Sequence, residues 1–134
     1  MAVRTFQPPN FPPPRGYANG ALGSGRSMLA VAGQIAWDAD GRIVSDDFAA
    51  QFDRALANVV AVVRAGGLGP ADVLQVRIYV TDKKEYLAAT KEVGAAWRRH
   101  MGRHYPAMAL VQVAALLEDR AKVEIEALCV KATP

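Results

Sequence analysis

Residues 45–80 read SDDFAAQFDRALANVVAVVRAGGLGPADVLQVRIYV, and the spacing of their apolar residues changes from a helical to an extended period. In the first half, apolar residues recur every three or four positions, which predicts a helix with Ser45 as its N-cap. The pair Gly66-Gly67 is predicted to end this helix. Residues 74–80 then alternate between apolar and more polar side chains, with Leu74 and Val80 at the two ends of the inner face, as in a half-buried strand.

The flanking sequence predicts further strands and a second helix. Strands are predicted at 27–37, an apolar run, and at 107–116 and 122–131, which a polar turn at 118–120 connects. Thr81-Asp82 can cap a helix, whose predicted inner face comprises Tyr86, Thr90, Val93, Trp97 and Met101. This order predicts an α+β fold with two helices on one face of a mostly antiparallel, mixed sheet.

Length and composition predict one globular domain over residues 1–134, with a proline-rich N-terminal arm at 1–14. Of its residues, 51% are hydrophobic and 22% charged, a balance that excludes a disordered chain. No apolar run reaches the roughly 18 residues that span a bilayer, so no membrane partner is expected. The N-terminal residues lack a secretory signal, and Cys129 is the one cysteine, so we expect a cytoplasmic protein. Cys129 lies in an apolar strand and is interpreted as an unreactive core thiol.

Two of the predicted strands have apolar side chains on both faces. In 107–116, Met108 and Leu110 fall on one face while Ala107, Ala109 and Val111 fall on the other. The run at 27–37 shows the same property. Two helices cover only one side of a sheet, and a second apolar side exceeds what monomers normally expose. The chain is therefore predicted to oligomerise through its sheet.

Most familiar catalytic patterns are absent from the sequence. His100 and His104 stand one helical turn apart without an obvious third ligand, and zinc sites need three or four, so no metal is predicted. The glycines at 66–69 follow a helix and cannot form a phosphate cradle at a helix start. The basic cluster at 98–104 is interpreted as a charged helix C-terminus rather than a nucleic-acid surface, since no stacking aromatic pattern accompanies it.

Glu124 and Glu126 are the most informative polar residues, because they share one face of a strand with apolar neighbours on either side. Carboxylates are rarely buried without partners. One interpretation is an edge that faces solvent, or acids that pair with basic residues. The other is a carboxylate that lines a crevice and is placed for proton transfer. The spacing alone leaves both open.

Beyond these local patterns, the chain resembles the Rid (reactive intermediate deaminase, YjgF-type) family from about residue 15 to residue 131. The resemblance lies in the order and spacing of several short pieces. They are Gly16-Tyr17, Ala32-Gly33-Gln34-Ile35, Gln51, Asn58, Ala65-Gly66, Asp72-Val73, Val80-Thr81-Asp82, Tyr105-Pro106-Ala107, Val113 and Val123-Glu124-Ile125-Glu126-Ala127.

The resemblance implies a chorismate-mutase-like (RidA-like) subunit in a homotrimer, with small-molecule sites in clefts between neighbours. It implies hydrolysis of reactive enamines and imines, such as 2-aminoacrylate, to a keto acid and ammonia without metal or organic cofactor. Glu124 would hold the attacking water and Tyr17 would line the cleft. Gly33 and Leu110 would shape its floor, and Thr90 stands where the family has a small polar Asn.

The chain departs from the family at Met108, where the resemblance implies an Arg that clamps the substrate carboxylate. Met cannot supply the paired donors of a guanidinium. We therefore expect a less acidic or more apolar substrate and inefficient turnover of 2-aminoacrylate, with Arg15 as one cation that could compensate. The alternative is a trimer that binds a small metabolite without turning it over. A ribonuclease activity, attached to some family members, rests only on mild basicity and analogy.

Overall fold

The computed structural model describes residues 2–6 and 8–131. Residues 1, 7 and 132–134 of the predicted domain lie outside the described residues. In chain order the strands are β1 (Val3–Phe6), β2 (Gly20–Gly23), β3 (Ser27–Gln34), β4 (Val73–Val80), β5 (Ala107–Gln112) and β6 (Val123–Lys131). The helices are α1 (Phe48–Ala65), α2 (Lys83–Ala88) and α3 (Thr90–Met101), with one 3-10 turn at Pro70–Asp72. None of the helices in the described ranges is long and apolar enough to cross a membrane.

The main sheet has the strand order β3-β6-β4-β5. β6 pairs antiparallel with both β3 and β4, whereas β4 and β5 are parallel. The parallel pair follows from the connection, because α2 and α3 carry the chain back across the sheet between these strands. This architecture confirms the predicted α+β fold with a mixed sheet.

α1 packs on the inner face of the sheet and forms the core with it. Asp47, not the predicted Ser45, is the N-cap, because its Oδ2 accepts from the backbone N–H of Ala50 at 3.0 Å. Ser45 stands outside the helix, where its Oγ accepts from the N–H of Asp47. Gly66 ends the helix as predicted, and Gly67 follows in a left-handed conformation with φ 83°. The largest fully buried side chains of α1 are Gln51, Phe52, Leu56, Val59 and Val63.

The prediction of one long second helix was wrong. The chain forms α2, capped by Asp82, and then α3, because Ala89 between them has non-helical dihedrals of −114° and 19°. The break changes the direction of the following side chains, so Thr90 is exposed instead of sharing the inner face with Trp97 and Met101, which are buried.

An irregularity in β4 corrects the predicted inner face of this strand. The pairing with β6 shifts between Val73 and Gln75, so Val73 takes the core position and Leu74 turns outward. There Leu74 packs with Val130 and with Val3 of β1. The arm was expected to run extended over the surface. It is extended in β1, which pairs with β2, but Ala2 and Val3 are buried.

Three strands are shorter than predicted, and the two outer strands, β3 and β5, are also more exposed. β3 ends at Gln34 rather than 37, β5 ends at Gln112 rather than 116, and β6 begins at 123 rather than 122. The apolar run of β3 was expected to be buried, yet its Met28 is 68% exposed, and Val111 of β5 is 47% exposed. Both side chains belong to the outer face of the sheet, which no helix of the described ranges covers. Cys129 is buried as predicted, and burial raises the pKa of its thiol to about 11.

Candidate functional site

The two carboxylates of β6 lie on the outer face, near the middle of the sheet. In the register of the pairing with β4, Glu124 stands opposite Tyr79 and Glu126 stands opposite Arg77. The predicted placement of both acids on one face is confirmed, and both are only half-buried. The two acids differ in the residues that surround their carboxylates.

Glu126 has partners that hold its charge. The phenol of Tyr79 donates a short hydrogen bond to Glu126 Oε1, and Arg77 Nη1 lies 4.0 Å from the same oxygen. The pKa of Tyr79 is raised, mainly by the hydrogen bond to Glu126 and to a smaller extent by desolvation. For Glu126, the structure agrees with the first interpretation, an acid that pairs with a basic residue.

The Glu124 carboxylate forms no hydrogen bond or ion pair with any residue in 2–6 and 8–131. Its carboxylate instead packs against the backbone of Gly33, where an added Cβ would lie 2.6 Å from Oε2 and 2.8 Å from Cδ. The register of β3 against β6 shifts between Val31 and Gln34, so Gly33 belongs to an irregularity of the ladder. A carboxylate without a protein partner, beside bare backbone, is available to a water and a ligand.

Gly33→Ala tests this contact. The new methyl group must displace the end of a flexible side chain rather than backbone, so we expect the fold to survive while the Glu124 carboxylate moves. Any activity that depends on Glu124 should fall at least about tenfold, since small displacements of a reacting group are costly. Thermal unfolding and activity would be measured together. Gly69→Ala is the matched control, because a Cβ there meets nothing within 4 Å. Equal activity in both variants would contradict the assigned contact.

A second group of predicted site residues gathers at the start of β5. Ala18 forms a bridge to Ala107, and its N–H donates to the carbonyl of Pro106 at 2.9 Å. This pairing places Tyr17, which is 38% exposed, beside the first residues of β5. Met108 and Leu110, two residues apart in β5, both lie on the inner face of the sheet and pack against the core.

One chain does not bring Tyr17 and Glu124 together. Ala107, next to the Tyr17 segment, is in register with Gln75, whereas Glu124 is in register with Tyr79. Four residues of strand correspond to about 13 Å, and β4 also separates β5 from β6. The Glu124–Gly33 pair and the Tyr17–Met108 group are therefore two separate corners of the subunit.

The other predicted residues lie outside both corners. Thr90 is exposed at the start of α3, a helix that packs on α1, so it belongs to the layer behind the sheet. Arg15 is exposed on the arm, just before Gly16 with its φ of 73°.

The side-chain amide of Asn58 holds the segment after Gly33. In the sequence, Asn58 stood out only as one of the residues that resemble the family. Asn58 Nδ2 donates to the carbonyl of Ile35 at 2.9 Å and to that of Trp37 at 3.1 Å. Gln51, fully buried, similarly donates to the carbonyls of Ser45 and Arg120 and accepts from the N–H of Lys122. Polar residues at inward positions of an amphipathic helix are the signal that could have revealed both roles.

The two histidines have different structural partners. His100 Nε2 lies 2.8 Å from Asp53 Oδ1, between α3 and α1, whereas His104 Nε2 lies 2.6 Å from the carbonyl of Val73. Within the described residues, no group of three His, Cys, Asp or Glu side chains could hold a metal ion.

Comparison with known proteins gives consistent matches over most of the chain. Residues 10–131 match the family described as endoribonuclease L-PSP. A 2-iminobutanoate/2-iminopropanoate deaminase of Salmonella typhimurium is 34% identical over 105 residues, covering 78% of this chain and 80% of the relative. A Rid-family protein of unknown function, YyfB from Yersinia pestis, superposes with a TM-score of 0.88 at 30% identity, covering 98% of this chain and 100% of that one. Escherichia coli TdcF with bound serine gives a TM-score of 0.70 at 31% identity, covering 89% and 97%.

Proposed function

This chain belongs to the Rid (YjgF-type) family, and from that premise we propose that it is an enamine or imine deaminase that hydrolyses a reactive metabolite in the cytoplasm. The observation that carries the proposal is the difference between the two acids of β6. Glu126 is paired with Arg77 and Tyr79, whereas Glu124 has no partner among the described residues and packs on Gly33. A relative that is 34% identical carries the name of an imine deaminase, which supports the reaction class.

The reaction needs one positioned water and one group that moves a proton. Glu124 accepts a hydrogen bond from the water, which attacks the iminium carbon while the carboxylate takes up a proton. The proton then passes to nitrogen, the C–N bond breaks, and ammonia leaves. As the carbonyl forms, its hydroxyl proton passes to Glu124 and from there to the departing ammonia, which carries away the proton that the iminium brought. The sum is imine plus water giving carbonyl compound plus ammonia, which requires neither metal nor organic cofactor.

The proposed enzyme is a homotrimer of chorismate-mutase-like subunits with its sites between copies. Two features support this arrangement: one chain keeps Glu124 apart from Tyr17, and apolar side chains such as Met28 and Val111 remain exposed on the outer sheet face. A neighbouring copy could cover that face and bring its Tyr17 to Glu124. Neither a membrane nor a nucleic acid is part of the proposal.

Sedimentation at micromolar concentration should give a mass of about 43 kDa, three times the 14.4 kDa chain. The exposed apolar side chains of the outer sheet face provide the physical reason, since their burial between copies stabilises association. A folded monomer that persists at this concentration would contradict the trimer and the shared site.

Ammonia release from imines generated in situ by an amino-acid oxidase tests the activity directly. We expect release above the spontaneous rate for imines with apolar side chains and a smaller acceleration for 2-aminoacrylate. The inward, core-packed Met108 favours a second candidate, a trimer that binds a metabolite without turnover. Binding of the 2-oxo acid product without acceleration of any imine would favour that candidate and contradict the hydrolase.

A further inference from the structure

An open cleft of about 860 Å³ lies between β1 and the loop that joins α3 to β5. Its lining includes Arg4 and Phe6 of β1, Tyr17, and Arg103 and Tyr105 of the loop. No acidic side chain is among the described residues that line it. Neither arginine forms an ion pair within the described ranges. The cleft therefore carries positive charge that no acidic group of residues 2–6 and 8–131 neutralises.

The loop side of the cleft is held in place by contacts from behind. Trp97 Nε1 donates to the carbonyl of His104 at 2.9 Å, and the ring of Tyr105 stacks on Trp97 with centroids 6.1 Å apart. His104 Nε2 donates to the carbonyl of Val73, because a carbonyl oxygen can only accept. Gly102, with φ 66°, reverses the chain at the end of α3. A preformed wall of this kind lowers the cost of ordering that binding would otherwise carry.

We infer that this cleft binds the substrate and selects aromatic 2-imino acids. Arg4 and Arg103 hold the carboxylate, since guanidinium groups supply paired donors that match its two oxygens. Phe6, Tyr17 and Tyr105 contact the aromatic ring, which stacks favourably on such side chains. The volume lies in the range of sites for ligands of drug size and exceeds what a three-carbon acid would fill. The inference deepens the proposed function and rests on it only for the statement that the bound anion is a substrate.

Equilibrium binding of phenylpyruvate, the stable 2-oxo product of an aromatic imino acid, tests the cleft without requiring turnover. Titration calorimetry on the oligomer should show phenylpyruvate binding at least about tenfold more tightly than pyruvate, because only the former can contact the aromatic wall. Arg4→Gln and Arg103→Gln should each weaken phenylpyruvate binding by about tenfold or more, through loss of a charge-assisted contact. Arg64→Gln is the matched control, since Arg64 is an exposed cation of α1 that does not line the cleft.

Equal affinities for phenylpyruvate and pyruvate, or unchanged affinity in both cleft variants, would overturn the inference. Circular dichroism of each variant separates a lost contact from a lost fold. Selective phenylpyruvate binding without ammonia release from any imine supports the cleft and contradicts the hydrolase. Ammonia release with no preference for aromatic imines has the opposite meaning: it supports the hydrolase and contradicts the cleft.

Discussion

Replacing Glu124 by Gln should lower ammonia release by about a hundred- to ten-thousandfold, the usual contribution of a general acid–base group. Gln keeps the shape of the side chain and its contact with Gly33, but it cannot accept a proton. The side chain is half-buried and forms no hydrogen bond or ion pair within the described ranges, so its replacement should change stability by no more than about 0.5 kcal/mol. Steady-state ammonia release, measured beside thermal unfolding, separates the two effects.

Glu126→Gln is the matched control for this variant. It changes the same chemical group on the same face of the same strand, two residues away. A Gln there can still accept from Tyr79, and only the weak attraction of Arg77 is lost. We expect near-normal turnover. An active Glu124→Gln enzyme, or an equal loss in both variants, would remove the catalytic role from Glu124.

Met108→Arg should raise the activity toward 2-aminoacrylate by about ten- to 150-fold, which corresponds to a charge-assisted contact of roughly 1.5 to 3 kcal/mol. Met108 is partly buried beside the core, two residues after Pro106 and close to the Tyr17 segment. An Arg can lay its apolar stem along that surface and place its guanidinium in water. The added cation would anchor a small carboxylate.

Met108→Gln is the control, since it has a similar length without charge. The rate with 2-aminoacrylate would be measured for wild type and both variants. A wild-type protein that already processes 2-aminoacrylate faster than apolar imines would contradict the role given to Met108. A gain in binding of small acids without any gain in turnover would favour the non-catalytic candidate.

The elements that decide the fold could be predicted because the spacing of apolar residues is a local property of the sequence. The stretch from Phe48 to Val80 contains a helix and a strand whose spacing follows their own geometry, and both formed within two residues of the predicted bounds. The wrong inner face of β4 arose where a distant part of the chain decides the outcome. The irregularity at Val73 depends on pairing with β6, and it turns Leu74 toward β1, which lies some seventy residues earlier. No glycine or proline stands at the helix break at Ala89, so the sequence did not indicate the break.

The candidate site shows the same limit. Glu124 could be singled out as an acid between apolar neighbours, but the strand pattern could not separate it from Glu126. Their difference depends on Arg77 and Tyr79, which a different strand supplies. The cleft of Arg4 and Arg103 was invisible because β1 and the loop before β5 meet only in the folded chain.

We propose that Glu124 of one copy acts with Tyr17 of a neighbour, and mixed oligomers test this shared site most directly. Glu124→Gln and Tyr17→Ala chains would be co-expressed with different tags, and trimers carrying both tags would be purified and assayed for ammonia release. In a ring with each site between adjacent copies, every mixed trimer holds one site with both native residues, so activity should recover to about one third of wild type. Each variant alone should remain nearly inactive. Mixed trimers as inactive as the separate variants would contradict a site shared between copies.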